Sequence, residues 1–81
     1  MSSPRTDKTE GSFEAAKLIV AENIKAYRKV AELSQEGLAH KMGTIQSNIS
    51  KLEAGRGNPT LETLSELADS LGVPVSALFI R

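Results

Sequence analysis

Between positions 46 and 51 the chain places amide, hydroxyl and ammonium groups at helical spacing: Gln46, Ser47, Asn48, Ser50 and Lys51. At about 100° per residue, Gln46, Ser47, Ser50, Lys51 and Ala54 share one side of a helix. Ile45, Ile49 and Leu52 fall in a narrow arc opposite, with Asn48 and Glu53 on the borders. The polar arc holds donors and acceptors but no carboxylate. That is the chemistry needed to meet base edges and phosphates in a major groove. An ordinary solvated face is polar too, but it usually mixes in Glu or Asp. Arg56 and Asn58, in the loop just beyond, are of the type that reaches a phosphate. Gln35 stands at the start of the preceding helical stretch, where the helix dipole favours an anion.

Other chemistries find no support in the residue inventory. There is one histidine, His40, and no cysteine, which excludes disulfide scaffolds, zinc fingers and thiol catalysis. No Ser/His/Asp arrangement, glycine-rich phosphate loop or paired catalytic carboxylates can be assembled, so neither an enzyme, a metal site nor a cofactor is expected. Asn48-Ile49-Ser50 matches a glycosylation sequon, read as chance without a signal peptide. No apolar run is long enough to cross a membrane, and the composition suits the cytoplasm. The formal net charge is zero, but it is segregated. Residues 37–60 hold Lys41, Lys51 and Arg56 against Glu53, 3 − 1 = +2, whereas residues 61–80 hold Glu62, Glu66 and Asp69 with no base, −3. The reading half is therefore the half that suits phosphates.

The elements that must position these groups are legible from punctuation. Ser34 is an N-cap for a helix carrying Leu38, Ala39 and Met42, and Gly43 ends it. Gly37 inside that helix costs about 1 kcal/mol against alanine. Thr44 or Ile45 starts the next helix, which Gly55 stops. Upstream, residues 1–11 read as a disordered leader. Ser12 caps a long helix from Phe13 to about Glu32, whose stripe is Phe13, Ala16, Val20, Ile24, Tyr27 and Ala31. Downstream, Thr60 caps a helix with Leu61, Leu64, Leu67, Ala68 and Leu71 inward, ended by Gly72. Residues 73–80 make a last short helix whose apolar end, Leu78-Phe79-Ile80, either closes the core or forms a subunit contact. Residues 12–81 thus form one all-α, five-helix bundle.

The stretch LSQEGLAHKMGTIQSNISKLEAG, followed by NPTLETLSELADSLGV, resembles the helix-turn-helix domain of the Cro/phage-repressor (XRE-type) family. The likeness covers about Val20 to Phe79, leaving FEAAKLI as an extra segment of the first helix. Gly37, where the family tends to have an acidic residue, and Ile45, where it often has Ser or Thr, depart from the pattern. The resemblance implies a lambda-repressor-like fold and a structural ion pair, Arg28 with Glu53. It also implies double-stranded DNA as partner and a homodimer whose contact includes Leu78, Phe79 and Ile80. Function is then transcription regulation, most often by blocking polymerase at an inverted repeat. An antitoxin with a toxin partner, a controller of a restriction–modification system, and an interaction module that has lost DNA binding are the competing roles.

Overall fold

The computed structural model describes residues 5–80. In chain order it contains α1 (Arg5–Val30), α2 (Gln35–Met42), α3 (Gln46–Glu53), α4 (Leu61–Leu71) and a 3-10 helix (Val75–Phe79). Four α-helices therefore stand where five were expected. The fifth is a single tight turn because Pro74 sets its start at φ −70° and Ala77 N–H bonds back to the Pro74 carbonyl at 2.9 Å. The segment then leaves the helix at Ile80, which is extended.

The start of α1 is also corrected. Residues 1–4 of the expected leader lie outside the described residues, but α1 already runs from Arg5, so Ser12 lies inside the helix and not at its start. Once a helix is anchored downstream, each added residue gains a bond, and residues 5–12 contain no proline to stop it.

The punctuation of α2 and α4 is as local as the sequence suggests. Ser34 and Thr60 accept from the N–H groups of Gly37 and Thr63, and Gly43 and Gly72 close the helices at φ +74° and +75°. Each element then sends one side chain to the centre. Ile24, Leu38, Ile49, Leu67 and Leu78 are fully buried together, with Val20, Leu64 and Ala68 around them. Burying such side chains gains about 1.5–3 kcal/mol each, which holds short α2 and α3 at a fixed angle. Leu78, expected at a subunit contact, is thus consumed by the chain's own core.

Two apolar positions expected inside are outside: Ile45 is 63% and Leu61 68% exposed. Ile45 is the N-cap of α3, with extended backbone, and Leu61 is the first residue of α4. At a helix boundary the 100° rule has no preceding turn to refer to.

Candidate nucleic-acid interface

Glu53, on the last turn of α3, is where the site is built from. Burial pushes its carboxyl upward. Hydrogen bonds from Arg28 and Gln35, with the charges of Arg28 and Lys25, outweigh that and hold it below its ordinary value. Arg28 Nε and Nη2 both reach it, the latter at 2.9 Å, while Nη1 donates to the Leu33 carbonyl at 2.8 Å. The hydrogen bond to Glu53 raises the guanidinium above its already high value. The two side chains are only 11% and 4% exposed. One buried fork therefore ties α1, the turn after it and α3 together. Two-point geometry of this kind fixes orientation as well as distance.

The same carboxylate also accepts from Gln35 Nε2 at 3.0 Å, and Gln35 Oε1 in turn accepts from Gln46 Nε2 at 2.6 Å. Arg28, Glu53, Gln35 and Gln46 form a continuous hydrogen-bonded chain from the core to the first residue of α3. The sequence places Gln35 and Gln46 on separate helices with separate roles. Their contact depends on the α2–α3 angle, which no local signal encodes.

Gln46, Ser47, Asn48 and Lys51 are exposed, and Ser50 is half-buried behind them. Asn48 donates from Nδ2 to Thr44 Oγ1 at 2.7 Å, closing the entry to α3 from the side. Thr44 is therefore a partner of Asn48 rather than the helix cap. The cap position is Ile45, which has no side-chain oxygen to offer, so no side chain covers the start of α3. Arg56 and Asn58 are exposed in the loop beyond, with Gly55 and Gly57 at φ +75° and +81°. Lys41, counted with the positive half, donates to the Ser70 carbonyl at 2.8 Å and serves the end of α4. Of the cations in residues 37–60, Lys51 and Arg56 are the ones left exposed beside α3.

Of the residues expected at a subunit contact, Phe79 and Ile80 remain on the surface, 46% and 64% exposed. Asn23, which no sequence pattern singles out, holds that end by donating from Nδ2 to the Leu78 and Ile80 carbonyls, both at 2.8 Å. His40 is exposed. Among the described residues no cluster of side chains could hold a metal ion, and no helix is long and apolar enough to cross a membrane.

Comparison with known proteins places this geometry. The profile of the family HTH_3, Helix-turn-helix, matches residues 24–78. The control protein C.SmaI of Serratia marcescens is 41% identical over 69 residues, covering 85% of this chain and 82% of its own length. The immunity repressor protein of Bacillus phage phi105 is 41% identical over 61 residues, 75% of this chain but 42% of the repressor. Among solved structures, the restriction–modification controller protein C.AhdI of Aeromonas hydrophila superposes with a TM-score of 0.76 at 29% identity. That superposition covers 80% of this chain and 98% of C.AhdI.

Proposed function

The chain belongs to the helix-turn-helix family, and on that premise we propose that it regulates transcription by binding double-stranded DNA, with α3 in the major groove. The observation that carries the reading is the hydrogen-bonded chain ending at Gln46. It presents one amide at the exposed start of α3 with its orientation already set, beside an outward face free of carboxylates. One amide proton is spent on Gln35, leaving the carbonyl and the second N–H for the two-point pairing that adenine accepts. Lys51 donates to guanine or phosphate, and Ser47, Asn48 and Ser50 touch base edges or flanking phosphates. Gln35, Arg56 and Asn58 hold the backbone.

The protein acts as a homodimer on an inverted repeat and represses by occupying the promoter. The relatives also favour a second, narrower role as the controller of a restriction–modification system. Two of them are such controllers or control proteins by name, and they align along 82% and 98% of their own lengths. Selection of bound sites from a random duplex pool tests the proposal. An inverted repeat with an adenine-dependent position is expected. No enrichment over a non-binding control protein overturns it.

A further inference from the structure

An apolar groove of about 160 Å³ opens between α1, the end of α3, the start of α4 and the 3-10 helix. Ala16, Val20, Leu52 and Leu64 form its walls, and Phe13 and Phe79 stand at its rim. Its α1 wall, from Phe13 to Val20, precedes residue 24, where the family match begins. Ile24 and Arg28, through which α1 holds α3, lie beyond that wall. The earlier turns of α1 therefore add a wall that leaves the space beside α3 unfilled. A cavity of this size takes about one aromatic ring, as a 150 Å³ cavity takes benzene.

We infer that this groove binds a small carboxylic acid with a ring-sized apolar body, and that the bound acid draws Arg56 away from DNA. The site goes beyond the DNA-binding reading and stands without it; only the effect on DNA rests on that reading. Charge selects the head group of the occupant. Among the described residues that line the groove, the charged ones are Lys17 and Arg56, both cations, and Asn58 adds a further donor. Glu14 approaches the Lys17 ammonium at 3.7 Å but is largely exposed, and an exposed helical pair of this kind is weak. Phe13 keeps the same ammonium at the rim, with its ring centre 4.9 Å from Nζ. A carboxylate placed there, against apolar walls, gains more from a cation than it does in open water. A neutral apolar occupant leaves both cations unmatched, and a bare anion leaves the walls uncovered. An apolar acid satisfies both.

Arg56 stands on the boundary between two sites. It lines the groove, and with Asn48, Lys51 and Asn58 it also lines a hollow on the proposed DNA side of α3. A guanidinium turned to a carboxylate in the groove is turned from a phosphate on the other side.

Benzoate is the probe, and benzyl alcohol is its uncharged counterpart. Titrated into the nitrogen-labelled full chain, benzoate should shift the amides of Ala16, Leu52 and Gly55 saturably, with a Kd of about 1 mM or tighter. Benzyl alcohol should bind at least about twofold more weakly. Lys17→Gln should weaken benzoate about two- to fivefold and leave benzyl alcohol unchanged. Ala16→Phe, which fills the groove, should abolish both. Four results overturn the site: no saturable shift with benzoate; shifts that survive Ala16→Phe; benzyl alcohol binding as tightly as benzoate; or groove amides that move on dilution and not with benzoate, which gives the groove to a second copy. Should Ala16→Phe not fold, Lys17→Gln decides alone, and equal loss for both probes, or loss for neither, overturns the inference. DNA affinity is measured separately, against acetate at equal ionic strength. Saturating benzoate should weaken wild-type binding to a selected duplex at least about fivefold and leave Ala16→Phe unaffected. A wild type that binds benzoate with its DNA affinity unchanged keeps the site and overturns the coupling. One that binds benzoate but selects no DNA site keeps the site and removes the regulator.

Discussion

On the proposed reading, Gln46 and Gln35 divide the work of one DNA contact. Because Gln46 Nε2 donates to Gln35 Oε1 at 2.6 Å, truncating either should disturb how the other meets DNA. Gln46→Ala is expected to relax preference at one base pair per half-site, costing about 1–3 kcal/mol there. Gln35→Ala should weaken all sites through loss of a phosphate contact. It should also blur the same base pair, since Gln46 is then free to turn. The double mutant should lose less than the sum, with a coupling of about 0.5–3 kcal/mol. Affinities for a selected site and its single-base variants at one fixed salt check this. Strict additivity would show that the two amides act independently on DNA.

Arg28 and Glu53 carry the second prediction at this scale. Removing either partner leaves a buried charge unpaired, at about 3–5 kcal/mol, whereas Arg28→Met with Glu53→Leu should be much milder. Thermal melts of the three variants decide it. The carboxyl of Glu53 is depressed in the folded state. Its contribution is therefore present above the unfolded carboxylate value of about 4.3 and is lost as pH falls through the lower, folded one. The stability gap between wild type and Glu53→Gln should be constant near neutrality and narrow below about pH 4. A gap that does not change on acidification would show that Glu53 is not held ionised by this fork.

The left-handed residues past α1 and α3 differ in what the backbone costs. Glu32, just past α1, has φ +61°, a conformation that costs a residue with Cβ about 1–2 kcal/mol. Glycine there gives back part of that through the unfolded chain, so Glu32→Gly should stabilise by up to about 1 kcal/mol, measured by denaturant titration. Gly55, past α3, has φ +75°, and a Cβ at that position would stand 3.0 Å from Leu18 Cδ2 of α1. Gly55→Ala should therefore cost more than the roughly 1–2 kcal/mol of backbone strain. Adding Leu18→Ala should recover the steric part and leave the strain. If the double mutant is no better than additive, α1 does not press on the end of α3 there.

At the scale of the whole molecule, the proposed homodimer makes a prediction about spacing. If the dimer is two-fold, the starts of its α3 helices should face successive major grooves about 34–36 Å apart. Lengthening the spacer between half-sites by half a helical turn should then abolish tight binding while leaving half-site affinity intact. With net charge zero, and Lys51 and Arg56 the exposed cations of residues 46–58, the proposed reading has few phosphates neutralised per half-site. The logarithm of affinity should fall with log salt at about −0.9 per phosphate contacted. A steep slope would mean that basic groups elsewhere on the chain also reach the backbone.

Much of this was legible in residue order because its causes are local. Ser34, Gly43, Thr60 and Gly72 cap their own helices within a few residues, and the acid-free arc of α3 follows from 3.6 residues per turn. The helix-turn-helix motif is made of such signals, so the family could be read from them. What the sequence alone left open depends on how helices meet. The path from Arg28 through Glu53 and Gln35 to Gln46 exists only once α1, α2 and α3 hold fixed angles around Ile24, Leu38 and Ile49. The extent of α1, the outward turn of Ile45 and Leu61, and the parting of buried Leu78 from exposed Phe79 and Ile80 were settled in the same way. Periodicity names an apolar face, but which of its members reach the core is decided by the neighbouring helix that covers it.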